Sequence, residues 1–134
     1  MPSGKSDVKH FSYKVVPALV MFCFCATTAL AALKVVGTGN ETRFDPAEIP
    51  VNKRQSFQLM ESRCTSCHSS ERLVIAIQSG IAPITGQPFD ATSAKVFVKK
   101  IASKPDSNIN EVEMKEILDI LNFLLIKQSA SKQP

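Results

Sequence analysis

The chain has no tryptophan and a single tyrosine, Tyr13, near its start. The Tyr and Trp platforms on which bases stack are therefore missing from the body of the chain. Its basic residues are scattered rather than clustered, so no nucleic-acid partner is expected. Glycine is scarce, with five in 134 residues. Gly37 and Gly39 have no third glycine after them and no βαβ pattern around them, which argues for a linker against a nucleotide loop. No cysteine follows Cys67 and no histidine follows His68. A zinc site built there would need Asp or Glu to complete it. There is no internal repeat and no credible strand. At this length one domain is expected.

What the chain does have begins with a long apolar run. Residues 1–14 carry Lys5, Lys9 and Lys14 against one acid, Asp7, and Val15 to Ala32 is apolar except for Thr27 and Thr28. The run ends in Ala29-Leu30-Ala31, small residues where a signal peptidase needs them. Residues 1–31 thus read as a secretory signal. The alternative is an uncleaved anchor, because the run approaches the length of a membrane span. Pro17 disrupts a long helix there, and Phe22 before Cys23 is too bulky for a lipoprotein site. Cleavage would remove Cys23 and Cys25, leaving no spare thiol for a disulfide. It would also lower the net charge from +4 to about +2, because three lysines and one aspartate leave with the signal. The periplasm is the expected location, with membrane attachment only if the segment is retained.

The sharpest pattern is Cys64-Thr65-Ser66-Cys67-His68. C-x-x-C-H is the attachment signature of a c-type haem. Two thiols with two residues between them reach the two vinyl groups along one porphyrin edge. The histidine that follows at once is placed to rise under the iron as its proximal ligand. A thioredoxin-like pair would want a preceding apolar strand, whereas Asn52 to Arg63 reads as an amphipathic helix. One covalently attached haem is the expected cofactor, held by Cys64 and Cys67 with His68 on the iron. Arg72 is a candidate contact for a haem propionate.

Around the motif the chain reads as helical. Residues 32–50 look like a flexible leader, punctuated by Pro46 and Pro50. Asn52 is a candidate cap for the first helix, in which Phe57, Met60 and Cys64 share a face. Leu73 to Ile77 is an apolar patch, read as a short helix or a segment wrapped on the ring. Residues 79–88, with Gly80, Pro83, Gly86 and Pro88, form a loop. Asp90 caps a second helix over 91–103, where Ala94, Phe97, Val98 and Ile101 make one stripe and Lys95, Lys99 and Lys100 lie off it. Lys104-Pro105-Asp106 breaks that helix. Asn110, with Glu113 as a capping box, starts the terminal helix, which runs to about Gln128. Its apolar face holds Met114, Ile117, Leu118, Leu121, Leu124 and Leu125. Residues 129–134 are a polar tail.

This layout of helix, haem motif, loop, helix, breaker and long terminal helix resembles a small class I monohaem cytochrome c over residues 51–128. The resemblance implies an all-α fold of about three main helices around one haem. It implies a first helix crossing the last near Phe57, Met60, Leu121 and Leu124 or Leu125. It also implies one-electron transfer between redox partner proteins, steered by charge, in an electron carrier rather than an enzyme. A loop carbonyl, near Pro83, is the expected partner of the other nitrogen of His68.

Such cytochromes usually place a Met sulfur on the other side of the iron. Met1 and Met21 lie in the signal, and Met60 sits too close before the motif and fits the first helix's core face. Met114 is the remaining candidate distal ligand, although core packing accounts for it equally well. Some relatives of this shape carry a basic residue followed by Met on the middle helix; here Lys100 is followed by Ile101. Three alternatives stay open: Met114, a lysine amine, or a vacant position. The last would suit a haem-based small-ligand binding or sensing protein. A further alternative is a haem subunit of a larger membrane oxidoreductase.

Overall fold

The computed structural model describes residues 32–133. The expected signal or anchor, 1–31, lies outside the described residues. Among those described, no helix is long and apolar enough to cross a membrane. The architecture is mostly helical, with one two-stranded sheet. The elements are β1 (Val35–Val36), β2 (Arg43–Phe44), α1 (Arg54–Thr65), α2 (Ser70–Ser79), α3 (Ala91–Ala102) and α4 (Glu111–Ala130). There are thus four helices rather than about three, because the apolar patch after the motif winds into α2.

α4 is the spine. Asn110 Oδ1 accepts from the Glu113 backbone N–H at 2.9 Å, and Glu113 Oε2 accepts from the Asn110 N–H at 3.1 Å. This reciprocal pair satisfies two donors that the first turn would otherwise leave bare. The helix then runs 20 residues, about 30 Å at 1.5 Å per residue. Its buried stripe is Ile117, Ile120, Leu121 and Leu124, extended by Gln128. The last turn, expected to fray as a tail, stays helical through Ala130.

α1 and α3 both pack on α4. From α1, Phe57 and Met60 are fully buried in the core that also holds Leu121 and Leu124. The links Lys53–Asp119, Ser56–Glu116 and Arg63–Glu113 step in opposite senses along the two helices. α1 and α4 therefore run in opposing directions. Asn52 does not cap α1. It lies inside a 3-10 turn, Val51–Lys53, which hands the chain to the helix through the Lys53 N–H bond to the Pro50 carbonyl. α3 starts as expected: Asp90 Oδ1 accepts from the Ser93 N–H at 2.8 Å and Ser93 Oγ accepts from the Asp90 N–H at 2.7 Å. α2 ends at Gly80, whose φ of 75° puts it in the left-handed region that glycine tolerates, and its N–H bonds the Ala76 carbonyl.

The stretch 32–50 is not a flexible leader. β1 and β2 pair antiparallel, Val35 opposite Phe44 and Val36 opposite Arg43. Gly37 turns the chain between them with φ 85°, and a Cβ there would lie 2.4 Å from the Glu41 carbonyl oxygen. Leu33, Phe44 and Ile49 enter the same core as α1 and α4. Asp45 caps the 3-10 turn Pro46–Glu48, and Lys127 reaches back from α4 to Glu48 at 2.8 Å. Glycine and proline do punctuate this stretch, but three large apolar side chains outweigh them: each loses water contact only by packing on the helices.

Candidate functional site

The motif lies where α1 ends and α2 begins. Cys64 and Thr65 close the last turn of α1; Ser66 caps it, and Cys67 and His68 form the corner before Ser69, the N-cap of α2. The corner is tied by its own hydroxyls. Thr65 Oγ1 donates to the Glu61 carbonyl at 2.7 Å, and Ser66 Oγ donates to the Arg63 carbonyl at 2.8 Å. The two residues between the cysteines thus finish the helix, and the Ser66 hydroxyl also lies 3.8 Å from the Cys67 sulfur. Cys64 and Cys67 are free thiols. Cys67 and His68 are exposed, whereas Cys64 is partly buried, and burial pushes its thiol up to about 11.

All five motif residues border one cavity of about 460 Å³. That is within the usual range for a cofactor or ligand site. One side comes from the α1–α2 corner, continued along α2 by Arg72, Leu73 and Ala76. The loop before α3 contributes Ala82, Pro83, Ile84 and Phe89. This loop is closed by the Phe89 N–H bond to the Gly80 carbonyl at 2.7 Å and the Ala82 N–H bond to Gln87 at 2.8 Å. α3 supplies Phe97 and Ile101, and the turn after it Lys104, Asp106 and Ser107. The surface is mainly hydrocarbon, with cations at Arg63, Arg72 and Lys104 against the one acid, Asp106.

Of the residues singled out in the sequence, Cys64, Cys67, His68, Arg72 and Pro83 are brought together around this cavity. Met114 is not. It lies beside the core in the first turn of α4, partly buried against the same cluster as Ile117 and Leu121. Its neighbours on the stripe, Ile117 and Leu121, border a smaller space together with Cys64, Phe97 and Ile101, and Met114 borders neither. Met60 is fully buried in the core. Lys95, Lys99 and Lys100 are exposed on α3 and do not border the cavity.

Sequence reasoning missed Arg63, Phe97, Ile101 and Lys104 as cavity residues. Phe97, Ile101 and Lys104 fall at i, i+4 and i+7, and that spacing was a readable signal. The stripe of Ala94, Phe97, Val98 and Ile101 does not by itself divide core from cavity. In fact Ala94 and Val98 are buried in the core, while Phe97, 43% exposed, borders the cavity and meets Phe89 edge-on with ring centroids 6.3 Å apart. Arg63 donates from Nη2 to Glu113 Oε1, and its Nε is buried with no partner. The bond from Arg63, with the Asn110 backbone bond second, holds the Glu113 carboxyl below its ordinary range. Arg63, the residue before Cys64, is thereby tied to the cap of α4.

Among the described residues, no three of His, Cys, Asp and Glu gather where they could hold an ion between them. Cys64, Cys67 and His68 instead border a cavity far larger than a bare ion. Fold and site thus define a small helical protein with a thiol- and imidazole-edged apolar cavity. Against known proteins the chain stands apart: no family model, no curated protein and no solved structure matches it.

Proposed function

We propose that this chain is an exported monohaem c-type cytochrome that carries single electrons between redox partner proteins. The observation that carries the reading is the C-x-x-C-H motif bordering the 460 Å³ apolar cavity. The residues present fit a haem. Both thiols are free, so neither is committed to a disulfide. The hydrocarbon lining suits a flat apolar ring. The cationic side chains of Arg63 and Arg72 suit its two carboxylates, and the buried Arg63 Nε has no acceptor from the protein.

In this reading Cys64 and Cys67 would hold the ring through thioethers, and His68 would ligate the iron. Bound haem supplies the one-electron chemistry by cycling between ferric and ferrous iron. The protein's part is to exclude water with Leu73, Phe89, Phe97 and Ile101, to balance charge with the arginines, and to leave an edge open for docking. Export to the periplasm follows from the expected signal in 1–31, with a membrane oxidoreductase as the partner if that segment is retained as an anchor. Neither nucleic acid nor a reaction catalysed by the chain's own side chains enters this reading.

A second reading is favoured by one observation. The cavity lining contains neither a methionine nor a second histidine. A haem seated there would lack the usual strong partner on its far side, and a small ligand such as NO or CO could take that position. The deciding experiment is to express the full chain in a host that attaches haem and to record oxidised and reduced spectra. A covalent haem with a low-spin spectrum unchanged by CO supports the carrier. A high-spin spectrum that shifts on adding CO supports the ligand-binding reading. A colourless protein with two free thiols overturns both.

A further inference from the structure

Among the described residues that border the cavity, one side chain besides His68, Lys104, is able to give iron a nitrogen. Phe97, Ile101 and Lys104 follow one another on the cavity side of α3 and the residues after it. The first two offer only hydrocarbon. Arginine, present at Arg63 and Arg72, is effectively always protonated and has no lone pair to give. Asp106 offers a hard carboxylate oxygen.

The backbone at Lys104 is held on both sides. Its N–H donates to the Ile101 carbonyl at 3.0 Å, and its carbonyl accepts from the Ser107 N–H at 3.1 Å. Pro105 follows and keeps Lys104 extended, at φ −78° and ψ 138°. A fixed root thus carries a long flexible side chain that borders the cavity. Among the described residues the amine has no hydrogen-bond or ion-pair partner, whereas Lys34, Lys53 and Lys127 are each paired to a carboxylate.

We propose that Lys104 is the sixth ligand of the iron, opposite His68, an inference that rests on the haem reading above. The nitrogen–iron bond forms as the ammonium gives its proton to solvent. No electron changes hands. The exposure of Lys104 gives that proton a direct exit. An amine is a harder donor than a thioether, so it favours ferric iron and sets the potential below that of a methionine-ligated haem. The site would also open to small ligands only when the amine swings away.

The test uses the full chain with haem attached, in three forms: the parent, Lys104→Ala and Lys104→Arg. A pyridine haemochrome spectrum first establishes covalent haem, and its failure counts against the haem reading rather than against Lys104. With haem present, electron paramagnetic resonance and far-red absorption of the oxidised parent should show a low-spin iron without a thioether–iron band. Both variants should lose the low-spin signal and bind cyanide faster than the parent. Lys104→Arg separates ligation from charge, because it keeps the cation but cannot coordinate. It also serves if Lys104→Ala fails to fold.

A low-spin spectrum retained in Lys104→Arg would overturn the proposal and leave Lys104 as a partner for a propionate. A high-spin parent would overturn it in favour of an open site or of Asp106. A thioether band in the parent would overturn it in favour of a methionine.

Discussion

At the scale of single residues, the motif divides its labour by position. Cys64 is anchored in the last turn of α1 and partly buried, whereas Cys67 and His68 stand exposed on the corner beyond. If the cysteines hold haem, Cys64→Ser and Cys67→Ser should each keep one thioether, and the double variant should release its haem into acidified acetone. Mass spectrometry of the protein after extraction checks this. The neighbouring pair Arg63–Glu113 makes a different prediction. Glu113 is held below the ordinary carboxyl value of 4.5, first by the bond from Arg63 and then by the Asn110 N–H. A group depressed in the folded state stabilises fully above its unfolded value, and that contribution is lost as pH falls through the folded one. The loss therefore begins near pH 4.5 and grows on acidification. Glu113→Gln should flatten the drop in urea midpoint between neutral pH and pH 3, because the amide has no proton to gain over that range.

At the scale of elements, the capped helices and the amino-terminal hairpin behave differently. Asn110→Ala removes the acceptor of the Glu113 N–H and should cost about 1 kcal/mol, seen as a lower midpoint in denaturant. The hairpin is a packing element. Phe44 is 2% exposed at the end of β2, against the core of α1 and α4. Phe44→Ala should cost about 3–5 kcal/mol by thermal or urea unfolding. A flexible leader would show no such loss, so this measurement separates the two descriptions of 32–50. Its legibility was poor for a physical reason. Two-residue strands carry no alternation to read, and burial of Leu33, Phe44 and Ile49 depends on helices outside the stretch, with β2 packed on α2.

At the scale of the whole molecule, the cavity is an open space among the packed helices of the described residues. α1 and α3 both pack on α4, and the space between the α1–α2 corner and α3 is bordered by Leu73, Phe89, Phe97 and Ile101 without being filled by them. Such surfaces forgo dispersion contacts and hold poorly satisfied water. The Cys64→Ser, Cys67→Ser double variant, prepared without haem, should therefore melt below the haem-bearing parent and bind a hydrophobic dye. Calorimetry and dye fluorescence check this. Equal melting temperatures would mean that the cavity is closed or occupied by something other than haem.

The sequence by itself determined what is local. Capping boxes need four consecutive residues, so Asp90–Ser93 and Asn110–Glu113 were legible as helix starts, the second in both partners. The apolar period of α4 and the five-residue motif are equally local. Tertiary structure alone decided which face of α3 meets the core and which meets the cavity, and it drew the hairpin into the core. It also kept Met114 on the packed side of α4 and brought Lys104 to the cavity wall. For the helices the physical reason is the same. A periodic stripe records that side chains share a direction, while the choice between a filled and an unfilled neighbour rests on how distant helices cross.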